Sequence, residues 1–111
     1  MASYTTQNVA GFSNLATGSL QTLLTVTAAK KAIVSLTVCN RGTVPVKIRW
    51  TITISATDFY QEYDYILAAS ATGQANAARW TGYEAPAGAI IKGQTDTANT
   101  DWTVADYEET A

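Results

Sequence analysis

Glu62 and Asp64 are the residues of this chain whose types and spacing come nearest to a reaction. On an unbroken strand they share one face about 7 Å apart, because a strand rises about 3.4 Å per residue. Two carboxylates flanking one bond are the equipment of glycoside hydrolysis, and that separation falls within its geometry. The competing reading is a pair of solvated acids on the outer side of a strand. Histidine is absent from all 111 residues, which removes Ser-His-Asp and Cys-His nucleophiles and the usual zinc sites together. Cys39 is the single cysteine, so no intrachain disulfide forms, and its apolar neighbours mark a small core residue and not an activated thiol. The other acids are dispersed. No catalytic, cofactor-binding or metal-ligating residue is expected, and the chain reads as a non-enzyme.

Recognition chemistry is better represented. Trp50, Trp80 and Trp102, with Tyr60, Tyr63, Tyr65, Tyr83 and Tyr107, help to make aromatics 10% of the chain. Trp50 falls within an apolar run and reads as core. Trp80 and Tyr83 stand near a strand end, where three readings stay open: core packing, a protein interface, or a platform on which a sugar stacks. Lys47 and Arg49 lie two positions apart on a polar strand face. They could meet Asp106, Glu108 and Glu109 of a neighbouring copy, although exposed pairs of this kind contribute only about 0–1 kcal/mol each.

The elements that must position these groups are strands. In Thr43–Ser55 the residues Val44, Val46, Ile48, Trp50, Ile52 and Ile54 alternate with Pro45, Lys47, Arg49, Thr51 and Thr53. A strand places successive side chains on opposite faces, so the first set lines a buried face and the second faces water. Six further strands are predicted at Leu20–Thr27, Ala32–Cys39, Phe59–Leu67, Ala78–Tyr83, Ala89–Thr95 and Trp102–Tyr107. Asn40-Arg41-Gly42-Thr43 is a turn signal, with Asn tolerant of the left-handed region and Gly supplying positive φ. It predicts a hairpin over residues 32–54. Ala68 to Asn76, small and polar, reads as a loop. About seven strands separated by turns, with no helical stretch, point to an all-β, antiparallel two-sheet sandwich, immunoglobulin-like or jelly-roll in topology.

One domain is what this length allows. Residues 18–111 form it, and residues 1–17 read as an extended N-terminal arm, with Phe12 and Leu15 as anchors on a neighbouring subunit; a frayed terminus is the alternative. Hydrophobic residues are 47% and charged ones 14%, a composition unlike that of a disordered chain. Seven Lys and Arg against nine Asp and Glu leave too little positive charge for nucleic acid. The start MASYTTQNVA has neither the basic residues nor the apolar run of a signal peptide, and no stretch nears the roughly 20 apolar residues of a membrane span. The chain is therefore expected in the cytoplasm, away from membranes.

The order AIVSLTVCNRGTVPVKIRWTI, EYDYIL, RWTGYEAPAGAIIKG and DWTVADYEE resembles a group of short virion structural proteins of tailed bacteriophages, common in phages of cyanobacteria and marine bacteria. The matching positions are Asn40-Arg41, Val46-Lys47-Ile48-Arg49, Glu62-Tyr63-Asp64-Tyr65, Thr81-Gly82, Ala87-Gly88 and Glu108-Glu109, across about residues 20–111. Trp80, Trp102 and the insertion-like AASATGQANA depart from the pattern. The resemblance implies a part of the virion, assembled in the host cytoplasm. The expected role is a capsid decoration (cement) protein, with the major capsid protein and copies of itself as partners, a trimer being favoured by capsid symmetry. The alternative is a tail-fibre or baseplate component that contacts host-surface glycan through Trp80 or Tyr83. Candidate interface residues are Phe12, Leu15, Lys47, Arg49, Trp80, Tyr83, Glu108 and Glu109.

Overall fold

The computed structural model describes residues 6–70 and 76–110, with side chains over 7–70 and 76–109. Eight strands run β1 (Thr6–Phe12), β2 (Gln21–Thr25), β3 (Lys30–Asn40), β4 (Val46–Ile54), β5 (Thr57–Leu67), β6 (Ala77–Ala85), β7 (Ile90–Thr95) and β8 (Thr100–Thr110). They form two four-stranded sheets, in the orders β1-β8-β3-β6 and β2-β7-β4-β5. All pairings are antiparallel.

The topology follows from which strands find each other. β1 pairs β8, β2 pairs β7, β3 pairs β6 and β4 pairs β5, four nested pairs of one long antiparallel ribbon. The ribbon is rolled so that β3 also pairs β8 and β4 also pairs β7. This is the eight-stranded jelly roll. In an immunoglobulin sandwich several consecutive strands are sheet neighbours. Here only β4 and β5 are.

Inward residues alternate as the sequence predicts: Ala32, Val34, Leu36 and Val38 on β3, Val46, Ile48, Trp50 and Ile52 on β4, Trp102 and Val104 on β8. Between the two sheets, the ring of Trp102 lies against Gly93. A Cβ there would overlap the indole ring, so this position in the middle of β7 accepts no side chain. The apolar face of β4 is shorter than expected, since Val44 and Ile54 are exposed. Thr51 and Thr53, expected in water, are buried on the outer face. Tyr60 and Lys92 stand opposite Thr51 in the two neighbouring strands, and Thr53 donates its hydroxyl to Asp58 Oδ1 at 2.5 Å.

Two expectations are corrected. Residues 32–54 are not a hairpin, because β3 and β4 lie in different sheets. The chain between them crosses the end of the sandwich, and Asn40 organises that crossing by its side chain, not by a left-handed backbone. Its Nδ2 donates to the carbonyl oxygens of Val44, Leu67 and Ala68 at 2.9, 3.3 and 3.0 Å, and its Oδ1 accepts from Gly42 N at 3.0 Å. Gly42 fits closely here: a Cβ would sit 3.3 Å from Asn40 Oδ1 and from Asn99 Cβ, so a larger residue would push on both.

The second correction concerns the arm. Thr6–Phe12 is an edge strand of the sandwich, paired with β8 along its whole length. Leu15 is buried in the chain's own core, its N–H bonded to Thr100 O at 2.9 Å, and Phe12 packs half-buried against the same core. The apolar groups that suggested anchors on a neighbour complete this molecule instead. Residues 1–5 lie outside the described residues, and the loop expected over 68–76 is described only at its ends.

Candidate functional site

The edge that matters most is built by the hairpin β4–β5. Its two-residue turn, Ser55-Ala56, has φ of 50° and 65°, the positive pair of a type I′ turn that suits the twist of antiparallel strands. From there β5 runs as an outer strand, bonded to β4 and, among the described residues, to no other strand. It does not run regularly. Ile48 faces Tyr65 and Trp50 faces Glu62, so three steps on β5 match two on β4, with Asp64 at φ 58°. Thr51 faces Tyr60, a second extra step at Gln61. Such bulges twist an edge and re-aim its side chains.

Their effect is to sort the residues differently from a regular strand. Glu62 and Tyr65 turn toward the inside, opposite Trp50 and Ile48, while Tyr60 stays outside opposite Thr51. Glu62 and Asp64, expected on one face, are separated. Glu62 Oε1 accepts from Trp80 Nε1 at 3.2 Å, and Asp64 Oδ1 accepts from Arg49 Nε at 2.7 Å. The arrangement read as two carboxylates flanking a single bond is therefore not formed.

β6 carries a matching irregularity. Val34 faces Tyr83 and Leu36 faces Trp80, and Gly82 has φ 77°. The extra residue brings Tyr83 to the same inner face as Trp80, where plain alternation would oppose them. Trp80, 9% exposed, sits 6.1 Å from the ring of Trp50 and 5.4 Å from Tyr65, the latter edge-on at 78°. Tyr83 meets Trp50 edge-on at 4.9 Å. These four rings close the open side of the sandwich between β5 and β6, and edge-to-face pairs contribute about 0.5–1.5 kcal/mol each beyond their buried area.

On the outside, Tyr60 and Tyr63 meet edge-on at 5.1 Å, and the Arg49 guanidinium carbon lies 3.7 Å above the Tyr63 ring. The hydrogen bond from Arg49 holds the Asp64 carboxyl below the usual carboxylate range, and the same bond raises Arg49. Asp58 is lowered by the Thr53 hydroxyl first and by Lys92 second. The acids of β5 are thus all engaged within the molecule. What remains on display is apolar. Among the described residues, six of the nine exposed large hydrophobic residues lie on this hairpin: Ile54, Phe59, Tyr60, Tyr63 (59% exposed), Tyr65 and Ile66 (62%). An aromatic strand edge whose acids are already hydrogen-bonded within the molecule suits burial against another surface.

The other expected site residues fall elsewhere. Lys47 is exposed beside this patch, its N–H bonded to Asp96 Oδ1 at 2.9 Å. Glu108 is completely buried and Glu109 is paired with Lys31 at 3.2 Å, so neither is presented to Lys47 or Arg49 of another copy. Trp80 is internal, which withdraws it from any sugar platform, and Tyr83 is half-buried against Trp50. A feature the sequence did not announce is a shallow depression of about 260 Å³ on the outer face of the first sheet. It is lined by Ser35, Thr37, Arg79, Thr81, Thr103, Ala105 and Tyr107, and Arg79 Nε donates to Thr37 Oγ1 at 3.3 Å. These are the outward residues of three strands whose inward partners are core. Among the described residues no group of three or more Cys, Asp or Glu side chains could hold a metal.

No protein-family model matches the chain, and a search of curated proteins gives no match.

Proposed function

We propose that this chain is a non-enzymatic structural protein of a tailed-bacteriophage virion, a decoration protein that cements the head. The observation that carries the reading is the β5 edge. An eleven-residue outer strand whose acids are all engaged shows three tyrosines, a phenylalanine and an isoleucine to its surroundings. Aromatic residues are enriched at protein interfaces and charges are depleted from their centres. The jelly-roll topology, used by viral capsid domains among others, and the sequence resemblance support the same reading. Bound to the major capsid protein and to copies of itself across capsomer junctions, such a protein buries area between subunits. It thereby raises the free energy of disassembly. Capsid symmetry favours a trimer at local threefold axes.

The test is co-sedimentation of purified protein with phage heads that lack it, alongside tailed particles. Saturable, high-copy binding to heads that Tyr63→Ala and Ile66→Asp weaken supports the reading. Binding confined to tails or host cells overturns it. In that event a tail-fibre or baseplate role takes over, with the hydroxyl-rich depression around Arg79 and Tyr107 as the glycan contact in place of the buried Trp80.

A further inference from the structure

Asp106 and Glu108 are successive inward residues of β8, and both are fully buried. One oxygen of each is satisfied. Asp106 Oδ1 accepts from the backbone N and the Nδ2 of Asn8 on β1, at 3.1 and 3.0 Å. Glu108 Oε2 accepts from the N–H of Thr27, just past β2, at 3.0 Å. The other oxygens, Asp106 Oδ2 and Glu108 Oε1, are buried and find no donor among the described residues. Two carboxylates in a dry interior cannot both hold their charge without a partner.

We propose that Asp106 and Glu108 share one proton and act as a latch that fastens β1 and the β2–β3 turn to β8, so that the N-terminal edge of the sandwich loosens when the proton leaves. The shared proton supplies the missing donor, with the Asp106 carboxyl donating to Glu108. Burial first, and then the bond to Glu108, raise Asp106 to about 6. Burial also works against the charge of Glu108, but the hydrogen bonds from Asp106 and Thr27 and the nearby Lys30 outweigh it and hold Glu108 ionised. Other charged groups near this end face outward and are bonded there: Lys31 to Glu109, and Lys92 on β7 to Asp58. β1 offers Asn8, which is neutral. When the proton leaves, two negative oxygens face each other without water. β1, which carries Asn8, is an edge strand paired on one side only.

The test is hydrogen exchange of the β1 amides across pH 5 to 8, corrected for intrinsic exchange, with carbon NMR titration of the Asp106 carboxyl in the same protein. β1 protection is expected to fall at least about tenfold as pH rises through 6, the equivalent of one unit of proton affinity. Asp106→Asn keeps an acceptor for Asn8 and donates its amide to Glu108, so its β1 protection is expected to stay level. Unchanged wild-type protection overturns the proposal, as does the same fall in Asp106→Asn or titration of Asp106 at the value of an exposed aspartate. Restoration of wild-type protection at pH 8 by millimolar calcium also overturns it, because a cation and not a proton would then close the pair.

Discussion

Asn40 and Gly93 show how a single side chain, or its absence, governs this fold. Asn40 ties three carbonyls and one N–H at the crossing between the sheets. Asn40→Ala strands those groups and is expected to cost about 2–3 kcal/mol, read as a lower urea midpoint at unchanged slope. Gly93→Ala drives a methyl into the Trp102 ring and is expected to cost about 1–3 kcal/mol, and Gly93→Ala with Trp102→Leu should recover part of it. Asn40-Arg41 was legible as a place where the chain turns. Its mechanism was not, because a side chain that bonds residues 27 and 28 positions away leaves no local pattern. The same holds for Glu108: paired acids near a terminus read as surface, and only the fold puts one of them inside.

At the scale of elements, composition, turn signals and period-two alternation together revealed seven of the eight strands, and alternation gave the buried face of β4 over Val46–Ile52. It failed where strands are bulged. In β5 one extra residue at Gln61 turns Glu62 to the inner face and a second, near Asp64 with its positive φ, restores the alternation from Tyr65 on; in β6 the positive φ of Gly82 adds a single residue, and the side chains beyond it change face. Asp64 carries no signal of that conformation, and Gly82 carries a weak one. β1 escaped because TQNVAGF has no alternation, its burial being one-sided and partial. Deleting residues 1–15 is therefore expected to destabilise the isolated protein, lowering its thermal midpoint, whereas a free arm would leave that midpoint unchanged. The outer edge behaves oppositely. Tyr63→Ala and Ile66→Asp remove exposed groups and are expected to shift stability by under about 0.5 kcal/mol while reducing binding to heads, checked by melting and co-sedimentation on the same samples.

For the whole molecule, nested pairing joins the two ends of the sequence, so that Thr6 faces Glu108. Sequence pattern limited the topology to two candidates, and pairing between distant strands, which no local window contains, selected the jelly roll. Charge then sets a pH profile with two limbs. Asp58, Asp64 and Asp101 are lowered, by Thr53, Arg49 and the Asn14 N–H respectively as the leading causes. A lowered carboxylate contributes stability above its unfolded pKa and loses it as pH falls through the folded one. Asp106 is raised from 3.8 to about 6, so its contribution is complete below 3.8 and is lost as pH rises through 6. Urea midpoints measured from pH 3 to pH 8 should peak on the acid side of neutrality, and Asp106→Asn should flatten the alkaline limb alone.

The β5 edge is the surface proposed to join this protein to a phage head. Cryo-electron microscopy of heads saturated with the protein measures that most directly. Ordered density is expected at capsomer junctions, with Tyr60, Tyr63 and Ile66 against a neighbouring subunit. Density with β5 facing solvent and the Arg79 depression engaged, or heads that remain bare, would contradict it.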